Sequence, residues 1–104
     1  MVECRLVDRR DDYVVLRLSG ELSGDRPSAR VRQALDAQYV NDGVRRIRLD
    51  LRRLANIDLE GVGVLLQLFR ESQRRGKALT VERARGSVRD RLRTTGVLRL
   101  LERG

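Results

Sequence analysis

Asp58 and Glu60, in the stretch LANIDLEGVGVLL (Leu54–Leu66), are the residues best placed to do chemistry. Two carboxylates two residues apart, followed by a glycine and an apolar run, admit three readings: an acid/base pair, part of a metal site, or the start of a helix. Acid/base work needs a pocket, a second group and usually a base. The chain has no histidine, which removes the commonest base and metal ligand. No other carboxylate cluster lies near in sequence, and two carboxylates without a further ligand motif do not define a metal site. Cys4 is the single cysteine, so neither a zinc cluster nor an internal disulfide can form. The GVG segment lacks the lysine and glycine spacing of a phosphate loop. No catalytic residue, metal ligand or cofactor is therefore assigned. As a helix start the segment reads well: Asp58 accepts a backbone N–H as N-cap, and Glu60 in the first turn gains about 0.3–1 kcal/mol from the helix dipole. Capping leaves Leu59 without a role. An apolar side chain at the mouth of a helix either tucks into the core or sits at a surface that something else covers.

The elements that position these residues follow from periodicity. Val2, Cys4 and Leu6 share one face of a strand over Val2–Val7. Val14, Leu16 and Leu18 do so over Tyr13–Ser19, Ile47, Leu49 and Leu51 over Arg46–Leu51, and Leu79 and Val81 over Ala78–Glu82. Period two in every strand means one buried and one wet face. A sheet covered on both sides would show continuous apolar runs instead, so the helices belong on one face. The first two strands, joined by Asp8–Asp12, predict a hairpin. Pro27 to about Val40 carries Val31, Ala34, Leu35 and Tyr39 at helical spacing, with Asp25 as cap and Pro27 in the first turn. Asn41-Asp42-Gly43 breaks this helix. Gly61–Arg75 is the second, with Val62, Leu65, Leu66 and Phe69 on one stripe and Gly76 at its end. The third runs from Ser87 to about Thr95, with Ser87 and Asp90 as a capping box. Val97, Leu98, Leu100 and Leu101 form an apolar tail. The expected order is β-β-α-β-α-β-α in an α/β domain. Its four-stranded, mostly parallel sheet has right-handed crossovers and helices on one face. The predicted core includes Leu16, Val31, Leu49, Leu51, Val62, Leu65 and Phe69, and the open face carries Glu3, Arg5, Arg17, Arg46, Arg48 and Glu82.

Composition bounds the function. A length of 104 residues is one domain's worth, expected to span 1–104. The longest apolar run is too short for a bilayer, and MVECRLVDRR has no export-signal pattern, so no membrane insertion and a cytoplasmic location are expected. Basic residues number 23 against 15 acidic, a formal +8. Lys77 is the only lysine, which leaves 22 arginines. They are scattered along the chain and accompanied by only Tyr13, Tyr39 and Phe69 as aromatics, too few for a base-stacking platform. A solvated basic surface, or an acidic protein partner, is favoured over a nucleic-acid site.

From Val14 to Leu101 the chain resembles the STAS domain of bacterial anti-sigma-factor antagonists. The resemblance rests on VVLRLSGELS, IRLDLRRLANID, the Asp-x-x-Gly at Asp58–Gly61 opening GVGVLLQL, the RRGKALTV strand entry and the RTTGVLRLL ending. It implies a non-enzymatic module that binds an anti-sigma factor of histidine-kinase-like ATPase fold, or a related protein, and so regulates sigma-factor-dependent transcription. In the family pattern Asp-Ser-Ser/Thr-Gly the first serine is phosphorylated by that kinase, and the phosphate blocks binding. Asp58 and Gly61 match that pattern; Leu59 stands at the phosphoacceptor and Glu60 next to it. Leucine has no hydroxyl, so phosphorylation at 59 is excluded. Ser23 stands where the family often has aspartate. What carries over is a partner-binding surface of Glu21, Ser23, Asp58, Leu59, Glu60, Gly61, Val62 and Val64. Three readings follow. One is an antagonist without a phosphoswitch at 59, with Leu59 as an apolar anchor. Another is a STAS scaffold or cytoplasmic subunit of a lipid-transport system. The third, of another class, is a basic nucleic-acid-binding domain.

Overall fold

The computed structural model describes residues 1–26 and 28–103. In chain order the elements are β1 (Val2–Arg10), β2 (Tyr13–Leu22), α1 (Ala29–Tyr39), β3 (Arg46–Ile57), α2 (Leu59–Arg74), β4 (Ala78–Glu82), α3 (Gly86–Thr94) and α4 (Leu98–Arg103). The four strands form one sheet in the order β1-β2-β3-β4. β1 and β2 are antiparallel, and β2/β3 and β3/β4 are parallel. This is the expected mixed, mostly parallel sheet.

Alternation decides which face the helices cover. Val14, Leu16, Leu18, Ile47, Leu49, Leu51, Leu79 and Val81 are buried in one cluster with Val31, Leu35, Val62, Leu65, Phe69, Val88 and Leu92 of the helices. Every residue of the predicted core is in that cluster. The opposite face carries Glu3, Arg5, Arg17, Arg46, Arg48 and Glu82, none of them buried. Asp50 on that face is 2% exposed. Its carboxylate accepts from Arg17 Nε at 3.1 Å and from the Arg52 N–H at 2.9 Å. Burial alone would raise its pKa, but these two donors and the two guanidinium charges outweigh it and hold the carboxyl below its ordinary value.

Three strands outrun their alternating stretches. β1 continues to Arg10, so the hairpin closes on Asp11-Asp12 rather than over Asp8–Asp12, with Asp11 at φ 46°. A bulge between Leu6 and Asp8 shifts the register, hiding the continuation from a period-two reading. β2 and β3 run on to Leu22 and Ile57 through two further register shifts, carrying both strands to the loops around Asp58.

The helix starts also differ from expectation. Asp25 does not cap α1; Ser28 does, its Oγ accepting from the Val31 N–H at 3.2 Å. A hydroxyl three residues before a free N–H meets the capping geometry, and Asp25 is too far upstream. The expectation for Pro27 lies outside the described residues. α2 begins at Leu59, directly after Asp58, rather than at Gly61. Ser87 and Asp90 form no capping box, because α3 starts at Gly86 after Arg85, which gives no side-chain cap. The chain turns at Arg83 and Gly86, at φ 60° and 56°, placing Ser87 inside the first turn. The apolar tail is helical: Leu98 and Leu101 are buried, while Leu100 is turned outward and 47% exposed.

Candidate functional site: the loops at the start of α2

The site is built where β2 and β3 end side by side. Leu22 and Ile57 are register partners and both are buried. Asp58 then leaves the strand with extended backbone (φ −97°, ψ 179°) and opens α2. Its Oδ1 accepts from the Gly61 N–H at 2.7 Å, the N-cap bond read from the sequence. Its Oδ2 accepts from the Gly24 N–H at 3.4 Å, and its own N–H donates to Leu22 O at 3.3 Å. One carboxylate thus ties the segment after β2 to the first turn of α2.

Gly61 makes that approach possible. A Cβ on it would collide with Leu22 O and stand 2.9 Å from Ile57 Cγ1. No side chain fits there, so the Asp-x-x-Gly spacing is a packing requirement as well as a cap. Glu60 lies in the first turn and is exposed, where it faces the positive end of the helix dipole.

Leu59 does not tuck into the core. It is 63% exposed, on the first residue of α2. Beside it lies a shallow groove lined by Ser87, Asp90, Arg91, Thr94 and Thr95 of the outer side of α3 and its end. Glu21 and Ser23 lie on the other side of the Asp58 staple, Glu21 exposed and Ser23 exposed beside it. The structure therefore gathers Glu21, Ser23, Asp58, Leu59 and Glu60 at one end of the sheet. Val62 and Val64 are separated from them: they are 4% and 1% exposed and belong to the core. Their place in α2 turns them inward, so they support the surface without forming it.

Sequence reasoning missed the contribution of α3. Its groove residues stand 28 to 36 positions beyond Leu59, and no local pattern links them to it. It also missed Gly24, whose N–H completes the Asp58 staple. Among the described residues, no group of three or more histidine, cysteine, aspartate or glutamate side chains is placed to hold a metal. Among the same residues, no helix is long and apolar enough to cross a membrane.

Comparison with known proteins agrees with this architecture. No curated protein sequence matches the chain. Among solved structures, the chain is similar to the anti-sigma factor antagonist SpoIIAA in its unphosphorylated form. The TM-score is 0.69 at 23% identity, covering 92% of this chain and 83% of that one. Against the Bacillus cell fate determinant SpoIIAA in the phosphorylated form, the TM-score is 0.64 at 24% identity, covering 90% and 84%. A further likeness, to Mglu, has a TM-score of 0.56 at 31% identity and covers 76% of this chain but 19% of that one. These structures share the fold. The model of the STAS domain matches residues 5–103, and the chain belongs to the STAS domain family.

Proposed function

We propose that the protein is a non-catalytic docking module of the anti-sigma-factor-antagonist kind, acting as one STAS domain. It binds a partner of histidine-kinase-like ATPase fold through the loops at the start of α2. The observation that carries this reading is the 63% exposure of Leu59 beside Asp58 and the α3 groove. A large apolar side chain held at a capped, rigid helix mouth gains by being covered. Asp58 and Glu60 flank it in sequence, and Ser87, Asp90, Arg91, Thr94 and Thr95 line the groove beside it. Glu21 and Ser23 extend the polar surface across the Asp58 staple. Because position 59 carries leucine, the docking state is not set by a phosphate there.

Burying Leu59 in a partner contributes about 1.5–3 kcal/mol by area. Leu59→Glu removes that gain and places a charge on a surface that must lose its water. It does not disturb folding, since a negative charge at a helix N-terminus is favourable. Titration calorimetry against the captured partner should show Leu59→Glu binding roughly 10- to 150-fold more weakly, with an unchanged melting temperature. Leu59→Ser should fold equally well and bind somewhat more weakly. Equal affinities for Leu59→Glu and the wild type would remove Leu59 from the interface. A transporter subunit or a nucleic acid as the captured partner would overturn the antagonist reading.

A further inference from the structure

β1 is an edge strand of the sheet, and its outer backbone groups can be identified. The Glu21 N–H donates to Met1 O at 3.1 Å. With the register Val2↔Gly20, Glu3↔Ser19, Cys4↔Leu18, that bond makes Met1–Glu21 a hydrogen-bonded pair. Antiparallel pairs alternate, so Glu3 and Arg5 also bond to β2. Val2, Cys4 and Leu6 therefore point their N–H and C=O groups away from it. No hydrogen bond among the described residues takes these outer groups.

Natural edges are kept apart by shortness, charged side chains (lysine above all), proline or a bulge. β1 is nine residues long without lysine or proline. Its bulge lies past Leu6, and the two charges within Val2–Leu6, Glu3 and Arg5, are of opposite sign. It also holds Leu6 and Val7, 45% and 36% exposed, and Met1, 92% exposed, stands just before its first residue.

We propose that β1 is a self-association edge. Val2–Leu6 pairs antiparallel with the same segment of a second copy of this chain, Cys4 opposite Cys4, joining the two four-stranded sheets into one of eight strands. In this register the outward groups of Val2, Cys4 and Leu6 bond to their counterparts in the second copy. Val2 then faces Leu6, Met1 faces Val7, and Glu3 faces Arg5, each twice by symmetry. Shifting the register one step either way sets Glu3 against Glu3 or Arg5 against Arg5. Centring it on Leu6 would draw in the bulge between Leu6 and Asp8, where the ladder is broken. The segment VECRL is thus complementary to itself in one register and repulsive in its neighbours.

Within one chain Arg5 lies opposite Arg17, and Arg17 already pairs with Asp50. Among the described residues no ion pair involves Arg5, and Glu3 of the second copy supplies it with a counter-charge. Glu3 does meet Arg30 of α1 at 3.4 Å, but both side chains are mostly exposed and such pairs contribute little.

Sedimentation equilibrium across micromolar to millimolar chain concentrations tests the proposal. The wild type should rise toward twice the monomer mass. Glu3→Arg and Arg5→Glu each place like charges opposite one another twice, and each should weaken self-association about tenfold or more. Mixed in equal amounts, the two variants should associate with each other. One carries two positive charges at these positions and the other two negative charges, so opposite charges again meet at both pairs. Hydrogen exchange provides an independent readout on the unaltered protein. The Cys4 and Leu6 amides should become protected as concentration rises, whereas those of Glu3 and Arg5 stay protected throughout. A wild type that remains monomeric, variants that associate as it does, a mixture that fails to recover, or Cys4 exchange independent of concentration would overturn the proposal. A β1 edge kept for a different protein would give the first of these results.

Discussion

At the residue scale, Lys77 shows how a single position departs from the chain's arginine habit. It is the only lysine against 22 arginines, and it is 8% exposed. Its Nζ donates to the main-chain carbonyls of Asn41 at 2.8 Å and Val44 at 2.5 Å. These carbonyls belong to the segment between α1 and β3, where Asn41-Asp42-Gly43 ends the helix. A compact ammonium delivers several donors from one point, while a guanidinium fork spreads them in a plane suited to carboxylates. Lys77→Met keeps the aliphatic stem and leaves both carbonyls without this donor. The expected loss is about 1–3 kcal/mol in urea unfolding, with Lys77→Arg failing to restore it. A loss near zero for Lys77→Met would mean that water replaces the ammonium at both oxygens. Asp58 works by the same economy, since one carboxylate serves Gly61 and Gly24. The sequence announced the first of these bonds through the three-residue spacing; Gly24 lies 34 positions away and could not be read that way.

At the element scale, β2 and β3 are held together by their ladder and, on the open face, by Asp50. Arg17 of β2 reaches it across the strands at 3.1 Å, and Arg52 of its own strand supplies an N–H at 2.9 Å and a guanidinium at 3.8 Å. The folded-state pKa of Asp50 is lowered despite burial. A lowered acid contributes stability that is present above the unfolded-state value and is lost as pH falls through the folded-state value. Stability should therefore decline below the ordinary carboxylate range in the wild type, and the decline should be shallower in Asp50→Asn, which also starts less stable. Parallel acid-unfolding curves for the two proteins would refute this. The same strands explain what sequence could and could not deliver. Ile47, Leu49 and Leu51 alternate cleanly and gave both strand and face. Arg52 to Asn56 do not, because register shifts let β2 and β3 continue without a period of two. The cap of α2 is legible at Asp58, which precedes the apolar stripe, although the helix begins two residues before the expected Gly61. Helix starts were misread at Asp25 and Ser87, where the turn geometry before the helix decides and side-chain type alone does not. The sequence leaves Leu59 open between core and surface, because that depends on whether a distant element covers it; at 63% exposure it lies on the surface.

At the scale of the whole molecule, the formal charge of +8 is spread over a body of 34 × 25 × 22 Å. In roughly 0.01 M salt the screening length is about 30 Å, so nearly all of the excess arginines repel one another. In roughly 0.15 M salt it is about 8 Å, and only neighbours interact. Added salt also weakens ion pairs, so the sign of the net effect depends on which pairs are sheltered. Arg17–Asp50 and Arg32–Glu71 have N–O distances of 3.1 and 2.7 Å and are partly buried, which preserves them. Pairs such as Arg10–Asp8 and Arg93–Asp90 are largely exposed and contribute about 0–1 kcal/mol at most. Relief of long-range repulsion should therefore win. The melting temperature should rise between these two salt concentrations by about 4–8 °C for each kcal/mol gained. The measurement has to separate this from self-association, because screening also lets two basic copies approach. A scan at two chain concentrations does so: a rise in melting temperature that is the same at both belongs to the single chain, and one that grows with concentration belongs to the β1 edge. A melting temperature that falls with salt at both concentrations would show that the exposed ion pairs, and not the excess arginines, dominate the molecule's electrostatic energy.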